Sequence, residues 1–262
     1  MSSQLPRIIG IIPARYQSSR LPGKLLADIG GKPMIQRTHE GAAKASLLSE
    51  LIVGADDERI IDVVRSFGGK AVMTSASHRS GTERCAEVAR GLDCDIVVNI
   101  QGDEPLIQPE IVDEAAKLLV EDPIPEMATL ASKTEIEEEL FDKAVVKVVF
   151  DVKGYALYFS RAFIPHSKTG ALKQGISYYR HIGIYAYRKD FLLRYVGLPQ
   201  SVLEIAEELE QLRALDNGYR IKVGVVEHYS LNVDTPEHLE KVRKMVKRSL
   251  GSSPQPPYLH IP

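Results

Sequence analysis

The feature that most constrains the fold of this chain is a regular alternation of two kinds of segment across its first half. Short apolar runs rich in β-branched residues alternate with longer stretches of helical period, which is typical of a mainly parallel sheet covered by helices. The runs predict strands at 7–12, 51–54, 70–74, 95–100 and 127–131, and the stretches between them predict helices at 33–46, 57–67, 82–91 and 109–120. An α/β fold follows from this pattern.

The second half has a mixed pattern. Apolar runs at 145–150 and 155–160 are joined by a turn that ends in Gly154, which predicts a β-hairpin. Further strands are predicted at 181–187 and 219–226, and helices at 189–196, 201–215 and 236–250. We expect this half to continue the same sheet. The tail 251–262 contains four prolines and is expected to be extended or disordered.

Composition and charge exclude several classes of protein. The chain has 262 residues, 44% hydrophobic and 26% charged, which excludes a disordered or fibrous chain. Its formal net charge of -2 excludes a chain-wide basic surface for nucleic acid. Cys85 and Cys94 are too few for a disulfide framework and are expected in the core. No apolar run reaches the ~18 residues that would cross a bilayer, so we expect a soluble, cytoplasmic protein.

The loop that follows the first predicted strand is the most informative segment. It reads PARYQSSRLPGK and carries Arg15, Arg20 and Lys24 with no acidic residue. Ligands of open α/β sheets bind beyond the carboxyl ends of the strands, so this loop is placed to bind polyphosphate through its cations and backbone N–H groups. It matches neither the Walker A pattern nor the dinucleotide-binding glycine motif. A solvated basic loop is the alternative interpretation.

Two further segments supply carboxylates. Asp103 follows the fourth predicted strand in the run QGDEP, where a Mg²⁺ ion that bridges phosphate oxygens would be held. Gly102 would let the chain turn sharply there. Asp234 precedes the last predicted helix, and capping of that helix by Asp234 or Thr235 is the simplest interpretation. The residues alone leave open whether Asp103 and Asp234 converge.

Other polar residues lie in or beside apolar strands. Arg161 follows the predicted hairpin, and His181 begins a strand, where a histidine is more often structural than catalytic. Ser80 precedes a helix and is either its N-cap or a nucleotide contact. The acidic run Glu207, Glu208 and Glu210 is most simply a solvated helix face.

Eight short motifs occur in an order that resembles one enzyme family. They are IPARY (12–16), SRLPGK (19–24), SGTER (80–84), NIQGDEP (99–105), YALYFSR (155–161), RHIGIY (180–185), LEQLR (209–213) and VDTPE (233–237). From about residue 7 to 248 the chain resembles the 3-deoxy-manno-octulosonate (Kdo) cytidylyltransferases. The resemblance implies an α/β, Rossmann-like three-layer nucleotidyltransferase fold with a mixed central sheet. It also implies one domain over 1–250, with a CTP-binding half at about 1–130 and a sugar-acid and dimerisation part at about 131–230.

The same resemblance implies a reaction and its site. CTP and Kdo would give CMP-Kdo and diphosphate with Mg²⁺ as cofactor, in lipopolysaccharide biosynthesis. The residues that match the family's catalytic set are Arg15, Lys24, Asp103 and Asp234, of which Asp103 and Asp234 would be the metal ligands. The residues that match its nucleotide contacts are Arg15, Ser18, Lys24, Ser80 and Asp103. Those that match its Kdo pocket are Arg20, Gln101, Arg161, His181, Tyr185, Glu210 and Gln211.

The resemblance further implies a homodimer that binds no nucleic acid and has no stable association with membranes. Three positions depart from the family pattern: Ser77 stands where many members have Asp, His166 where many have Trp, and His238 where Asp is usual. None of these removes a metal ligand or a phosphate-binding cation, so we expect an active enzyme.

Two alternatives remain beside this assignment. One is a cytidylyltransferase for another sugar acid, either an acylneuraminate or the 8-amino analogue of Kdo. His181, Tyr185 and the Glu210-Gln211 pair speak against the acylneuraminate and less clearly against the amino analogue. The other is a non-catalytic nucleotide-binding regulator, which would not need both Asp103 and Asp234. A dehydrogenase is disfavoured because the glycine fingerprint is missing.

Overall fold

The computed structural model describes residues 6–18, 21–170, 172–227 and 230–251. Its strands are β1 (Ile8–Ala14), β2 (Asp28–Ile29), β3 (Lys32–Pro33), β4 (Glu50–Ala55), β5 (Lys70–Met73), β6 (Ile96–Asn99), β7 (Met127–Thr134), β8 (Lys147–Phe150), β9 (Ala156–Ser160), β10 (Tyr178–Arg188) and β11 (Ile221–Val226). Its helices are α1 (Met34–Ala42), α2 (Glu58–Ser66), α3 (Gly81–Arg90), α4 (Pro109–Glu121), α5 (Glu137–Phe141), α6 (Lys189–Tyr195), α7 (Val202–Glu207), α8 (Leu212–Asp216) and α9 (Pro236–Gly251), with a 3₁₀ helix at Lys24–Leu26.

The chain forms two compact units whose segments alternate along the sequence. Within the described residues, the first unit is drawn from Met1–Ile8, Asp93–Val98 and Asp113–Glu227, and the second from Ile9–Leu92, Asn99–Val112 and His228–Pro262. Each unit therefore combines stretches that are far apart in sequence. That 1–250 forms one domain with a functional division near residue 130 stays a prediction.

The second unit is built on parallel strands. β4 pairs in parallel with β1 on one side and with β5 on the other. Ile9, Ile11 and Ile12 of β1 have no exposed surface, so this strand is covered on both faces, as expected of a strand inside a parallel sheet. Helix α2 begins at a side-chain cap, because Asp57 accepts a hydrogen bond from the Arg59 N–H.

The first unit has a mixed sheet. β10 pairs antiparallel with β7 and β8, while β11 pairs in parallel with β7. β6 lies beside β10 in this sheet. β8 and β9 form the predicted hairpin, which closes through a turn with Gly154 at a φ of 78°. Fully buried aromatic rings of Tyr187, Phe191 and Tyr195 pack between β10 and α6.

Most predicted elements are confirmed, and the α/β class with them. One prediction is wrong: 201–215 is not a single helix but α7 and α8, because Glu208 takes a left-handed conformation with a φ of 53° and ends α7. The sequence also failed to predict the hairpin of β2 and β3 and the short helix α5. Cys85 and Cys94 are buried, as expected.

None of the helices in the described ranges is long and apolar enough to span a bilayer. The expectation for the tail falls, apart from its first residue, on 252–262, outside the described residues.

Candidate functional site

One cavity of the second unit gathers most of the residues that were assigned to the nucleotide. Its volume is about 290 Å³. It is lined by Pro13, Arg15, Ser18, Lys24, Leu25, His78, Arg79, Ser80, Gly81, Arg84, Gln101, Gly102, Asp103 and Asp234. Four segments of the sequence thus contribute to one concave surface: the loop after β1, the start of α3, the loop after β6 and the loop before α9.

The loop after β1 turns back so that Lys24 enters this cavity. Gly23 lies at a φ of 66°, in the left-handed region that favours glycine, and precedes the 3₁₀ helix that begins at Lys24. The Gly23 N–H donates to the Tyr16 carbonyl over 3.2 Å, which closes the loop. The guanidinium of Arg59 lies 3.4 Å from the centroid of the Tyr16 ring and covers its face.

The loop after β6 contacts three neighbouring segments, through Thr38 of α1, Leu25 of the 3₁₀ helix and Pro13 of β1. The Thr38 hydroxyl donates to the Gly102 carbonyl over 3.0 Å. Gly102 is not one of the glycines with a positive φ, so its backbone angles do not require glycine. A Cβ atom there would lie 3.3 Å from Leu25 Cδ2 and 3.4 Å from the Pro13 carbonyl oxygen, so glycine serves close packing. The expected turn at Gly102 is present, because the Glu104 N–H donates to the Gln101 carbonyl over 3.3 Å, and the missing side chain also permits the close approach of neighbouring segments.

A backbone hydrogen bond brings the two aspartates together. The Val233 N–H donates to the Asp103 carbonyl over 2.9 Å, so the loop before α9 lies against the loop after β6. Thr235 caps α9 by accepting from the His238 N–H over 3.3 Å. The Asp234 carboxylate is directed to Lys24 instead. Of the two capping residues that the sequence suggested, Thr235 is therefore the one that caps.

Lys24 lies between the two carboxylates. Its Nζ atom donates to Asp103 Oδ2 over 2.6 Å and to Asp234 Oδ1 over 3.3 Å. The three side chains are only partly exposed, at 13%, 21% and 36% respectively, so their charges are less screened than on an open surface. The question that the sequence left open is settled, since Asp103 and Asp234 face one common cation.

The remaining nucleotide residues take their expected places on the cavity wall. Arg15 is exposed, and its side chain and that of Ser18 line the cavity. Ser80 lines it as well and also caps α3 by accepting from the Glu83 N–H over 3.2 Å. The helix-cap interpretation of Ser80 is confirmed, and its contact with a nucleotide stays a prediction. Gln101, assigned to the sugar acid, also lines this cavity and donates to Asn99 Oδ1 over 3.3 Å.

A buried ion pair beneath the loop after β1 was missed by the sequence. Arg84, 3% exposed, donates from Nη2 to Asp56 Oδ2 over 3.0 Å. The other oxygen of Asp56 accepts from the Tyr16 N–H over 2.9 Å. The pair therefore fixes the loop that carries Arg15 and Ser18. The only available signal was that Asp56 follows a buried strand and Arg84 belongs to the SGTER motif.

A second group of assigned residues lies in the first unit, around His181. This side chain is 8% exposed, and its Nε2 atom lies 2.8 Å from the Thr129 hydroxyl. The Thr129 proton is directed to the Ile184 carbonyl at 2.7 Å, so Nε2 must donate and Nδ1 carries the lone pair. Burial, with a smaller contribution from Arg180, lowers the pKa of His181 to about 3. His181 is thus a neutral acceptor at Nδ1.

Tyr185, Glu210 and Gln211 belong to the same unit. The Tyr185 ring lies 5.4 Å from that of His181, and burial raises the pKa of its phenol, which therefore stays protonated. The Glu210 carbonyl accepts from the Tyr195 hydroxyl over 2.5 Å. Gln211 is 3% exposed, and its Nε2 atom has no hydrogen-bond partner within the described residues. A buried amide in this condition is suited to a ligand that accepts hydrogen bonds.

Arg161 follows β9 and is held by carbonyl groups. Its Nε atom donates to the Glu207 carbonyl over 2.8 Å, Nη1 to the Lys143 carbonyl over 3.0 Å and Nη2 to the Glu208 carbonyl over 3.4 Å. A guanidinium has five N–H donors, so within the described ranges two remain after these three bonds, which is the number that a carboxylate accepts in a bidentate pair.

Glu207 contradicts the solvated face that its acidic run suggested. Its carboxylate accepts from the Ser160 hydroxyl over 2.6 Å and from the Arg161 N–H over 2.9 Å. The acidic run therefore contributes an internal contact between α7 and the end of β9. Arg20, the remaining member of the assigned sugar-acid pocket, lies outside the described residues.

The three departures from the family pattern lie at different distances from this chemistry. Ser77 is exposed and bonds to the Ser75 hydroxyl over 2.7 Å, away from the cavity wall. His166 packs against the edge of the Phe163 ring. His238 alone contacts an assigned metal ligand, because its Nδ1 atom accepts from the Asp234 N–H over 3.4 Å.

Comparisons with known proteins identify the family of the chain. The family model described as cytidylyltransferase matches residues 9–221. The 3-deoxy-manno-octulosonate cytidylyltransferase of Geotalea uraniireducens is 52% identical over 250 residues, which cover 92% of this chain and 100% of the relative. The protein of the same name from Protochlamydia amoebophila is 49% identical, over 91% of this chain and 93% of its own.

Solved structures include a similar protein of the same kind. The structure of CMP:2-keto-3-deoxy-manno-octonic acid synthetase complexed with CTP is 44% identical and superposes with a TM-score of 0.88, over 93% of this chain and 99% of the other. A 4-diphosphocytidyl-2C-methyl-D-erythritol synthase from Anaerococcus prevotii, at 16% identity and a TM-score of 0.61, shares the fold alone. The chain belongs to the cytidylyltransferase family, among its 3-deoxy-manno-octulosonate cytidylyltransferases.

Proposed function

We propose that this protein transfers the cytidylyl group of CTP to Kdo, giving CMP-Kdo and diphosphate and so activating the sugar acid for lipopolysaccharide biosynthesis. The observation that carries the proposal is the cavity in which Arg15 and Lys24 lie with the Asp103 and Asp234 carboxylates. Relatives that are named for this reaction and are about 50% identical over nine-tenths of the chain support the choice of acceptor.

The chemistry requires charge neutralisation and positioning more than a protein base. In the proposed reaction a hydroxyl oxygen of Kdo attacks the α-phosphorus of CTP, and its proton passes to solvent. The bond from the α-phosphorus to the oxygen that bridges it to the β-phosphorus breaks, and diphosphate leaves with the negative charge. Arg15 and Lys24 would neutralise the triphosphate, and Ser18 and Ser80 would donate hydrogen bonds to it. Electrostatic stabilisation of this kind supplies most of the rate acceleration in phosphoryl transfer.

The two aspartates fit a Mg²⁺ site. They already share one cation, the ammonium of Lys24, and Mg²⁺ is commonly held by one or two carboxylates together with substrate phosphates. Asp103 and Asp234 would therefore hold the metal. When bound, Mg²⁺ would neutralise charge on the triphosphate and lower the pKa of the attacking hydroxyl. Lys24 would then be released to contact a phosphate.

The sugar acid would be recognised by the residues of the first unit. Arg161 keeps two N–H donors for the carboxylate of Kdo. Nδ1 of His181 would accept a hydrogen bond from a sugar hydroxyl, and the amide of Gln211 would donate one. Tyr185 and Glu210 of the same unit would complete the contacts to the hydroxyl groups.

A coupled assay of diphosphate release tests this proposal. CTP would be offered with Kdo, with its 8-amino analogue or with an acylneuraminate, each with Mg²⁺ and with EDTA. We expect release only with CTP, Kdo and Mg²⁺ together. Release with another sugar acid in preference to Kdo would replace the acceptor, full turnover in EDTA would remove the metal, and CTP binding without any turnover would make the protein a nucleotide-binding regulator.

We also propose a cytoplasmic homodimer. Family resemblance supports both statements, and light scattering of the purified protein tests the second: a mass close to that of one chain at micromolar concentration would contradict it.

A further inference from the structure

A lysine without any exposed surface lies at the start of β8. Lys147 has a relative exposure of 0%, and burial lowers the pKa of its ammonium group. Lysine is rarely found fully buried unless its charge is satisfied by specific partners. Nothing in the proposed chemistry uses this side chain, so its partners have to explain its position.

Three backbone carbonyls surround the ammonium group. Lys147 Nζ donates to the carbonyl of Asp142 over 2.8 Å, to that of Val145 over 2.5 Å and to that of Arg161 over 2.7 Å. An ammonium has three N–H donors and no acceptor, so the three bonds use its full capacity. The lysine thereby joins the turn before β8 to the residue that directly follows β9.

The same turn also holds the side chain of Arg161. The Lys143 carbonyl, between the two turn carbonyls that Lys147 binds, accepts from Arg161 Nη1 over 3.0 Å. Lys147 therefore fixes both ends of this contact: the main chain of Arg161 and the turn that receives its guanidinium. Removal of the ammonium would take away the donor that joins the turn to the Arg161 carbonyl, and the Asp142 carbonyl would keep only its bond from the Val145 N–H over 3.2 Å.

We propose that Lys147 is a positioning residue that orients Arg161, by way of the turn 142–145, toward the carboxylate of the sugar acid. The proposal rests on the proposed function of Arg161. It assigns Lys147 no contact with substrate and no role toward the nucleotide, whose assigned residues lie in the second unit. Loss of the Lys147 ammonium should therefore weaken the binding of the acceptor substrate and leave the binding of CTP unchanged.

The test measures steady-state kinetics of the full-length enzyme with each substrate varied in turn. Lys147→Met keeps the length of the side chain and removes the charge, and Lys147→Arg keeps a charge and N–H donors. We expect Lys147→Met to raise the KM for Kdo about tenfold or more while the KM for CTP changes less than about twofold, and Lys147→Arg to recover part of that loss. Arg161→Lys should give the same asymmetry.

Val148→Ala is the matched control. Val148 is the next residue of β8 and is equally buried, but no side-chain hydrogen bond joins it to Arg161. Truncation of Val148 should lower the melting temperature without raising the KM for Kdo more than the KM for CTP. The proposal would be overturned if Lys147→Met changed the KM for Kdo and the KM for CTP equally. It would also be overturned if Val148→Ala raised the KM for Kdo selectively, as Lys147→Met is expected to do. Failure of both Lys147 variants to fold where Val148→Ala folds would overturn it as well.

Failure of the proposed function gives a different result. If the unaltered enzyme releases no diphosphate from CTP and Kdo, the reaction itself is wrong. If it does, but Arg161→Lys leaves the KM for Kdo unchanged, the assignment of Arg161 is wrong. Only with both established does an effect of Lys147 on Kdo support the positioning role.

Discussion

At the scale of single residues, Lys24 balances the charge of two carboxylates in the cavity that we propose for the nucleotide. Its ammonium lies within hydrogen-bond distance of both Asp103 and Asp234, so Lys24→Met leaves two neighbouring carboxylates without their shared counter-charge. We expect the variant to lose about 1 to 2 kcal/mol of stability in EDTA, because like charges at this separation repel. Mg²⁺ should raise its melting temperature more than that of the unaltered protein, as the ion replaces the ammonium.

Thermal denaturation with and without Mg²⁺ measures this effect without reference to turnover. Lys32→Met is the control, because Lys32 forms an exposed ion pair with Glu40 instead. An unchanged melting temperature for Lys24→Met in EDTA, with no response to Mg²⁺, would contradict the shared-cation arrangement.

His181 makes stability depend on pH. Burial lowers its pKa to about 3 in the folded protein, from an ordinary value of 6.5. Below pH 6.5 His181 binds a proton in the unfolded chain but stays neutral in the folded protein. The contribution of the neutral His181 to the free energy of unfolding is therefore complete at neutral pH and is lost as the pH falls toward 3. At pH 5 the loss from this residue is about 2 kcal/mol.

Urea denaturation at pH 7 and pH 5 measures the loss, with His181→Gln as the comparison. The glutamine retains an N–H donor for Thr129 and does not titrate, so the difference between the two pH values should be smaller by about 2 kcal/mol in the variant. Equal pH dependence of the two proteins would show that His181 is accessible to protons in the fold.

At the scale of elements, the loop after β1 depends on the ion pair beneath it. Asp56→Asn retains an acceptor for the Tyr16 N–H but removes the charge that partners the buried guanidinium of Arg84. Breaking a buried pair on one side costs about 3 kcal/mol. We expect this loss of stability together with a raised KM for CTP, since the loop carries Arg15 and Ser18, and an unchanged KM for Kdo. A raised KM for Kdo alone would contradict the assignment of this loop to the nucleotide.

The junction of α7 and α8 offers a test of backbone strain. Glu208 is exposed and has a φ of 53°, which costs a residue with a side chain about 1 kcal/mol. Glu208→Gly should therefore leave stability unchanged or raise it by up to about 1 kcal/mol. Ala206→Gly, at an exposed helical position of α7, should instead lower stability by about 1 kcal/mol. Equal losses in the two variants, measured by urea denaturation, would show that Glu208 is not strained.

This junction also shows why some elements could be predicted from the sequence and others could not. The strands and long helices repeat their apolar residues with a regular period, and such a period is a local property. The run 201–215 keeps a helical period throughout, and nothing local marks the left-handed turn at Glu208. That turn is stabilised by Arg161, whose guanidinium binds the carbonyls of Glu207 and Glu208 from 46 and 47 positions away.

The same limit applies to the candidate site. Cations in the loop after β1 and the carboxylate after β6 were predicted from the sequence to share one crevice, and they line one cavity. Binding of polyphosphate and metal there stays a prediction. The convergence of Asp103 with Asp234 depends on the bond between the Val233 N–H and the Asp103 carbonyl, and no residue type encodes a main-chain contact. The support beneath the site, Asp56 with Arg84 and the lysine at the start of β8, was missed because buried ion pairs and buried lysines have no sequence pattern of their own.

At the scale of the whole molecule, the course of the chain predicts cooperative unfolding. Each of the two units is assembled from three separate stretches, so neither is a continuous segment that folds by itself. We expect one transition in thermal denaturation. CTP with Mg²⁺, at a hundredfold excess over the dissociation constant, should raise the free energy of unfolding by about 3 kcal/mol and shift the whole transition to higher temperature. Calorimetry tests this: two transitions, of which only one responds to CTP, would contradict it.

The pairing of Lys24 with Asp234 has a consequence for the synthesis of the protein. The two residues are 210 positions apart, and the Asp103 loop is held by a segment that follows it by more than a hundred residues. A ribosome therefore has to produce the residues up to Asp234 before both carboxylates can meet Lys24. A polypeptide that ends before Asp234 carries the basic loop and Asp103 but lacks the second carboxylate, so we expect such a truncation to leave Lys24 with one acidic partner in place of two.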